Sequence, residues 1–313
     1  MSEVSIAIVQ HPPKLLDREQ TLAQAVQHIQ QAAEQGAKFV LFPEAYIAGY
    51  PSWIWRLRPG GDWGVNERIH QRLLASAVDL SAGHLAPLCE AAKATQLWVQ
   101  VGFNELDSSA SRASLYNSFA VIDDNGELVN VHRKLMPTNP ERMVWGMGDA
   151  SGLQTLDTPA GRLGGLICWE NYMPLARFAL YAQGVQLYTA PTYDSGDGWI
   201  GSMQHIAREG RCYVACAGVA LRHQDIPQEF EEMAALFSAD EEWINPGDSV
   251  IVAPGGEIIA GPMRNEVGIL TATIDPKVAI QSKRALDVAG HYARPDVLSL
   301  NLHQEVQSSL KRS

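Results

Sequence analysis

The sequence lacks the features that mark several large classes of protein. Only four cysteines occur among 313 residues, without the pattern of a disulfide scaffold, so we expect reduced thiols. No apolar run approaches the roughly 20 residues needed to cross a bilayer. The segment Met1 to Ser5 leads directly into a strand-like run without a signal-peptide pattern. These absences predict a cytoplasmic protein.

Basic residues are also scarce, with 24 Lys and Arg against 35 Asp and Glu and a net charge of -11. Such a charge repels phosphate backbones and anionic membranes, so we expect neither nucleic acid nor a membrane as a partner. The sequence contains no G-x-S-x-G, H-E-x-x-H, Walker or G-x-G-x-x-G motif. We therefore expect no metal and no organic cofactor.

The order of strand-like and helix-like patterns indicates the fold class. Val4–Val9 reads as a buried strand, Arg18–Gln35 as an amphipathic helix and Phe39–Phe42 as the next strand, which is a βαβ opening. Asp123–Gly126 predicts a hairpin turn between two later strands. With 46% hydrophobic residues the chain can bury a large core. We expect an α/β fold and a single domain over residues 1–313.

The same patterns continue along the rest of the chain. They predict helices over Leu85–Ala94, Leu175–Gln183 and Ser202–Gly210, and strands over Leu97–Val101, Leu115–Ile122, Leu128–His132, Gln186–Ala190, Tyr213–Val219, Ser249–Ala253, Ile258–Ala260 and Gly268–Ile274.

Three side chains stand at positions suited to nucleophilic chemistry. Cys168 follows the apolar run Leu163–Ile167, Glu44 closes a strand-like segment, and Lys134 lies in the segment His132–Thr138. A thiol has a pKa of about 8.5 and attacks as the thiolate. Glu44 can accept its proton, and Lys134 can stabilise charge on a substrate heteroatom. Each has an ordinary alternative: a core cysteine, a strand-end carboxylate and a solvated lysine.

Several short segments occur in the order and spacing of one known superfamily. They are Phe42–Tyr46, His132–Thr138, Cys168–Tyr172, Ala190–Thr192, Ser202–Ala207, Glu209–Cys212 and His291–Asp296. Through them the chain resembles the nitrilase, or carbon–nitrogen hydrolase, superfamily along nearly its whole length. The resemblance implies a four-layer α-β-β-α sandwich whose helix layers often pair across subunits. It also implies at least a homodimer, with larger spirals in many nitrilases of this branch.

The resemblance gives the three candidate side chains their roles, with Glu44 as base, Lys134 as cation and Cys168 as nucleophile. It also matches Glu141 to a second carboxylate near this triad, which orients the lysine or shares in proton transfer. Without the resemblance, Glu141 reads equally well as a surface residue beside Arg142. A Cys–His arrangement that uses His132 or His205 is the alternative, and the resemblance disfavours it.

The residues that follow the nucleophile indicate the substrate class. Cys168-Trp169-Glu170 resembles the nitrilase and cyanide-hydrolysing branch, whereas relatives that cleave amides tend to have Tyr-Asp or a similar pair there. The expected reaction is hydrolysis of an aromatic, arylaliphatic or aliphatic nitrile through a covalent thioimidate and thioester. The alternatives are an amidase, a cyanide-hydrolysing enzyme and a non-catalytic scaffold.

Aromatic residues supply the candidates for substrate binding. The segment Gly49–Arg68 reads as an inserted loop in which Tyr50, Trp53, Trp55 and Trp63 either pack a subunit interface or line an apolar pocket. Such aromatic content favours an organic nitrile over cyanide. The substrate-binding candidates are Tyr50, Trp53, Trp145, Trp169, Tyr193 and Trp199.

A second insertion-like segment runs from Asp225 to Glu242, with seven acidic residues and no Lys or Arg. Such a charge run is usually a solvated face. Here, however, four apolar residues recur at helical spacing: Phe230, Met233, Leu236 and Phe237. They predict a short amphipathic helix that covers another part of the protein.

Overall fold

The computed structural model describes residues 3–305 except 59, 109–111, 239 and 241. Its strands are β1 (Val4–Gln10), β2 (Ala37–Leu41), β3 (Trp98–Asp107), β4 (Ser114–Ile122), β5 (Leu128–Arg133), β6 (Leu156–Thr158), β7 (Gly161–Gly165), β8 (Leu187–Thr192), β9 (Tyr213–Gly218), β10 (Ala220–Arg222), β11 (Trp243–Val252), β12 (Ile258–Arg264) and β13 (Gly268–Ile274). Its α-helices are α1 (Arg18–Glu34), α2 (Trp63–Ser76), α3 (Ala86–Thr95), α4 (Pro174–Ala182), α5 (Asp197–Gly210), α6 (Glu231–Ala234) and α7 (Pro276–Ser282).

The strands form two mixed sheets. The first has the order β13-β1-β2-β3-β4-β5, with parallel pairs at β1/β2 and β2/β3 and antiparallel pairs elsewhere. The second has the order β10-β11-β9-β8-β7-β6, with β12 paired to β11 and with parallel pairs at β7/β8 and β8/β9. Parallel neighbours bring the carboxyl ends of their strands to one edge, where connecting loops can place functional side chains.

The period-two alternation of the strands sorts their apolar side chains between two cores. In β1, Ile6 and Ile8 join the cluster between the two sheets, whereas Ala7 and Val9 join the cluster under α1 and α3. In the second sheet, β9 sends alternate residues to the intersheet cluster and to the cluster under α4 and α5. The result is helices, sheet, sheet and helices, the four-layer arrangement that the sequence resemblance implies.

Most of the predicted elements are confirmed within a few residues at each end. The β1-α1-β2 opening is present, and the predicted strand over Gly268–Ile274 has those bounds. The hairpin between β4 and β5 turns through Gly126, whose φ of 82° lies in the left-handed region that glycine adopts without strain. Helix α5 begins at Asp197, five residues before the predicted start at Ser202. The weakest feature of the prediction was therefore the position of element ends.

The aromatic insertion is more regular than predicted. Reading Gly49–Arg68 as a loop was wrong, because Ser52–Trp55 forms a 3-10 helix and α2 begins at Trp63. Helix α2 buries Ile69 and Leu73, four residues apart on one face, against the aromatic cluster. The prediction missed this periodicity because most of α2 lies after Arg68, beyond the segment that its aromatic residues define.

The acidic segment does cover another part of the protein. Met233 on α6 is completely buried, and Phe237 packs beside it in the same cluster as Tyr50 and Trp53. The helical part is only one turn long, and residues 239 and 241 of this segment lie outside the described residues. The predicted amphipathic helix is thus confirmed in its packing but is shorter than the apolar spacing suggested.

In the part of the chain that the structure describes, no helix combines the length and the apolar character that crossing a bilayer requires.

Candidate active site

A buried lysine between two buried carboxylates forms the centre of the site. Lys134 follows the end of β5, and its Nζ donates to Glu44 Oε1 at 2.8 Å and to Glu141 Oε2 at 2.7 Å. Burial alone would lower the pKa of Lys134, but the charges of Glu44, Cys168 and Glu141 raise it above its usual value. Lys134 therefore carries a positive charge throughout the neutral range.

Further donors hold the Glu44 carboxylate in place. Asn117 Nδ2 donates to Oε1 at 2.7 Å, and the backbone N–H of Tyr193 donates to Oε2 at 2.6 Å. The loop that carries Glu44 packs on Gly102 of β3, where a Cβ atom would collide with the backbone of Pro43. Because Tyr193 follows the second sheet and Glu44 the first, this carboxylate joins the two sheets at their shared edge.

The thiol of Cys168 lies at the same edge, just beyond β7. Its φ of 51° is in the left-handed region, which costs a non-glycine residue about 1–2 kcal/mol. The residue begins a 3-10 turn over Cys168–Tyr172, and its side chain is buried yet lines the cavity described below. This turn places the sulfur where it interacts electrostatically with Glu44 and Glu141, which follow strands of the first sheet.

The electrostatics favour one shared proton rather than two free anions. Burial raises the pKa of the Cys168 thiol, the charge of Glu44 raises it further, and Lys134 and a hydrogen bond with Thr192 oppose the shift. Burial likewise raises the pKa of Glu44, with Lys134 acting against it. A proton on either group relieves their mutual repulsion. The pair can therefore pass a proton between sulfur and carboxylate, as a nucleophile and its base must.

Glu141 connects this centre to an aromatic wall. Its Oε1 accepts a 2.6 Å hydrogen bond from the hydroxyl of Tyr50, which in turn accepts one from Trp55 Nε1 at 2.9 Å. The backbone N–H of Thr138 donates to the other oxygen at 2.6 Å. The Tyr50 ring stacks on Tyr193, with centroids 3.9 Å apart and planes inclined by 4°. Both carboxylates are thus fixed by donors in addition to Lys134.

A cavity of about 430 Å³ opens onto the thiol. Its volume falls within the range of about 300–1,000 Å³ that is usual for small-molecule sites. Five of the lining residues are aromatic, and the others include several polar side chains. The lining residues are Tyr50, Ser52, Trp55, Arg56, Thr138, Glu141, Cys168, Trp169, Tyr193, Asp194, Ser195, Phe237, Ile244 and Asn245.

Three of the six aromatic candidates line this cavity: Tyr50, Trp169 and Tyr193. The other three are among the residues packed behind its wall or further away. Trp53 is fully buried in the aromatic cluster, and Trp145 meets the edge of Tyr50 and donates from Nε1 to Asn104 Oδ1 at 3.0 Å. Trp199 on α5 donates to the Cys216 sulfur at 3.1 Å. Sequence position identified aromatic residues in this region but not which side of the wall each occupies.

The residue after Trp169 braces the site from behind. Glu170 is buried, and its two oxygens each accept a 2.6 Å hydrogen bond, from the backbone N–H of Ile167 and from that of Leu135. These two residues immediately precede Cys168 and follow Lys134. Glu170 therefore fixes the backbone next to both Lys134 and Cys168.

The two histidines of the alternative Cys–His arrangement lie elsewhere. His132 Nε2 is 3.1 Å from both oxygens of Glu170, while its buried Nδ1 has no partner among the described residues. An Nε2–H group that donates to the Glu170 carboxylate satisfies this geometry. His205 is exposed beside Glu209 on α5. Neither histidine lines the cavity, and no cluster of metal-ligating side chains occurs within the described residues.

Comparison with known proteins assigns the family. The chain matches the carbon-nitrogen hydrolase family over residues 5–284. It belongs to that family. The chain is 37% identical to a protein named aliphatic nitrilase from Sinorhizobium fredii over 311 residues, which cover 99% of each chain. It is 36% identical to Nitrilase 1 from Arabidopsis thaliana, covering 98% of this chain and 89% of that relative.

Solved structures of the family share the fold. Nit3 of Saccharomyces cerevisiae, described as a member of branch 10 of the nitrilase superfamily, superposes with a TM-score of 0.71 at 20% identity, covering 93% of this chain and 96% of that chain. The NitFhit protein of C. elegans superposes with a TM-score of 0.72 at 21% identity, covering 99% of this chain and 69% of that chain. These structures support the α-β-β-α sandwich.

Several contributors to the site were missed in the sequence. Asn117 in β4 and Thr192, which ends β8 within the family-like segment Ala190–Thr192, were not predicted to contact Glu44 and Cys168. Phe237 of the acidic segment and Ile244, which follows that segment, line the cavity, although neither was named as a substrate-binding candidate. Glu170 carried a detectable signal, because a carboxylate so soon after the apolar run Leu163–Ile167 must find hydrogen-bond donors when it is buried.

Replacing the bracing carboxylate should loosen the nucleophile. In Glu170→Gln the amide NH2 group faces one backbone N–H that now lacks an acceptor, at a cost of about 1–3 kcal/mol in unfolding free energy. We also expect slower alkylation of Cys168 by iodoacetamide. Thermal denaturation and mass-spectrometric alkylation rates measure the two effects. Glu209→Gln weakens a contact with Arg177 away from the cavity and should alter stability alone. An equal change in the alkylation rate in both variants would contradict the role of Glu170 in fixing the backbone next to Cys168.

The coupling between Glu44 and Cys168 predicts a shift in pH dependence. Glu44→Gln removes the anion that raises the Cys168 pKa and leaves the Lys134 charge that lowers it. The pH midpoint for alkylation of Cys168 should therefore move to lower pH than in the parent, while catalytic turnover is lost. A pH series of iodoacetamide rates measures the midpoint, with Glu209→Gln as control. An unchanged or higher midpoint in Glu44→Gln would contradict the shared proton.

Proposed function

We propose that this protein is a nitrilase, which converts an organic nitrile and two waters to a carboxylic acid and ammonia. The observation that carries the proposal is the buried contact of Lys134 with both Glu44 and Glu141, beside the thiol of Cys168 at the base of a cavity. The level of identity to relatives named nitrilases, over nearly the whole chain, supports a nitrile as substrate.

In the first half of the reaction, Glu44 accepts the thiol proton and the sulfur of Cys168 attacks the nitrile carbon. The C–S bond forms as one C–N π bond breaks, and the nitrogen receives a proton to give a thioimidate. Lys134 stabilises the nitrogen as charge develops, and the backbone N–H of Trp169 is the second candidate donor. No cofactor takes part in these steps.

In the second half, water adds to the thioimidate carbon while Glu44 accepts its proton. The tetrahedral carbon then carries OH, NH2 and sulfur. Protonation of nitrogen and cleavage of the C–N bond release ammonia and leave a thioester. A second water, activated by Glu44, cleaves the C–S bond, which frees the acid and restores the Cys168 thiol.

An amide is released instead when the C–S bond of the tetrahedral intermediate breaks before the C–N bond. The position of the proton among Glu44, Lys134 and Glu141 decides between the two bonds. A relative from Nicotiana tabacum that is named a bifunctional nitrilase/nitrile hydratase, 38% identical over 95% of this chain, makes both products reasonable to assay.

Lys134 provides the sharpest test of the mechanism. Loss of a charge-assisted donor to the transition state costs about 3 kcal/mol or more, which is at least ~100-fold in rate. Lys134→Arg keeps the charge but has a larger planar group, which does not fit a position enclosed by two carboxylates. We expect acylation to collapse in both Lys134→Arg and Lys134→Ala, as followed by single-turnover kinetics with a chromogenic nitrile.

The control variants separate chemistry from folding. Cys168→Ala should remain folded and release no ammonia from any nitrile, while His132→Ala should retain more activity than Glu44→Gln. Near-normal acylation in Lys134→Arg would leave Lys134 only as a general positive charge. Ammonia release by Cys168→Ala would exclude the covalent mechanism.

We further propose that the protein assembles as a homodimer or larger homo-oligomer in the cytoplasm. Leu175 at the start of α4 and Trp63 at the start of α2 are among the apolar side chains that project furthest into solvent. The former lies on a helix layer of the kind that pairs across subunits in the superfamily. All four cysteines are free, which is typical of a reducing compartment.

Light scattering should therefore give a mass of at least two chains. Leu175→Asp and Trp63→Asp place a charge on each apolar surface in turn and should reduce the mass if that surface is a contact. Lys277→Asp on α7, an exposed polar position, is the matched control. A monomer at working concentration would contradict the proposed assembly.

A further inference from the structure

One charged side chain on the cavity wall has no protein partner to neutralise it. The guanidinium of Arg56 lies 5.9 Å from the ring centroid of Phe237, and both residues line the cavity that contains Cys168. Arg56 forms no ion pair with any residue in the described part of the chain. Its planar group thus rests on an aromatic surface with its N–H donors uncommitted.

The other charged groups that line the cavity are all engaged. Glu141 binds Tyr50, Lys134 and Thr138, as described above. Asp194 accepts from Trp169 Nε1 at 2.7 Å through one oxygen and from the backbone N–H of Ser195 at 2.8 Å through the other. The acidic side chains therefore have donors of their own, whereas the cation does not.

A second unpartnered polar group lies on the same segment. Ser52 begins the 3-10 helix that ends next to Arg56, and its buried Oγ has no hydrogen-bond partner among the described residues. A buried hydroxyl without a partner costs free energy, so its retention on a cavity wall points to a partner that arrives with the ligand. Arg56 and Ser52 can both donate to an acceptor.

We infer that Arg56 is a specificity-determining residue that selects nitriles bearing a carboxylate at the end remote from the cyano group. A guanidinium offers two parallel N–H groups that match the two oxygens of a carboxylate. With the cyano carbon at Cys168, an ω-cyanoalkanoate would extend along the aromatic wall and place its carboxylate at Arg56. This inference rests on the proposed nitrilase function and adds the substrate class.

The inference has an electrostatic basis beyond the single contact. The whole chain carries a net charge of -11, which by itself disfavours an anionic substrate. A lone cation at the cavity offsets that repulsion locally and acts over about 8–10 Å at physiological ionic strength. The kcat/KM of anionic nitriles should accordingly fall more steeply than that of neutral nitriles as salt is added.

The test compares ω-cyanoalkanoates of two to five methylene groups with their methyl esters, by ammonia release at neutral pH. The measured quantity is the ratio of kcat/KM for acid over ester at each chain length, which cancels differences in the amount of folded enzyme. We expect a ratio of about ten or more at the best length for the parent. Arg56→Gln should lower this ratio at least about tenfold. Arg56→Lys keeps the charge but lacks the two parallel N–H groups of the guanidinium, so it should lower the ratio less.

Arg58→Gln is the matched control, because Arg58 lies two residues away, pairs with Asp62 and is absent from the cavity lining. It should leave the ratio unchanged. A parent that prefers the esters, or an Arg56→Gln ratio equal to that of the parent, would overturn the inference while the nitrilase proposal stands. Failure of the parent to release ammonia from acid, ester or any other nitrile would instead defeat the proposed function itself.

Discussion

The contact between Lys134 and two buried carboxylates is the constraint on which the rest of the site depends. Removing three charged groups from water is costly, and the cost is recovered only when each group has several partners at short distance. Lys134 lies 2.8 Å and 2.7 Å from the oxygens of Glu44 and Glu141, and each carboxylate has further donors. The arrangement holds one cation for two anions, so a nearby thiol meets an excess of negative charge. This excess keeps a proton on Cys168 or Glu44. In the proposed mechanism, the sulfur loses its negative charge when it forms a bond to the substrate carbon.

Such a cluster requires two sheets to meet at one edge. Glu44 and Lys134 follow strands of the first sheet, whereas Cys168 and Tyr193 follow strands of the second. Two carboxylates join these halves, Glu44 through the backbone N–H of Tyr193 and Glu170 through that of Leu135. The apolar cluster between the sheets supplies the cohesion, but it is non-directional. The short hydrogen bonds to backbone N–H groups provide the registration that catalysis requires.

The sequence predicted local structure and residue types better than orientation. Strand and helix periodicity identified most elements, because the spacing of apolar residues along the sequence differs between strands and helices. The order of the motifs indicated which four polar residues meet. The side of the wall on which Trp53 and Trp145 lie was not predictable, since burial in a cluster and exposure to a cavity both favour tryptophan. Asn117, distant in sequence and unremarkable in pattern, became visible only through the pairing of β4 with β5.

The aromatic wall of the cavity and the charged cluster around Lys134 form one hydrogen-bonded network. Trp55 Nε1 donates to the Tyr50 hydroxyl, which donates to Glu141, and Glu141 accepts from Lys134. Burial and the neighbouring Glu141 charge raise the pKa of Tyr50 far above its usual value, so the phenol acts as a fixed donor at neutral pH. Tyr50 lines the cavity and, through its hydrogen bond to Glu141, also influences how much negative charge Lys134 experiences. Substitutions of Trp55 or Tyr50 made to widen the cavity also change the hydrogen bonding of Glu141 and the charge balance around Lys134, and in the proposed mechanism this balance decides which bond of the tetrahedral intermediate breaks. Substrate range and product are thus physically linked in this site, whereas Arg56 stands outside that hydrogen-bonded chain and can vary without disturbing it.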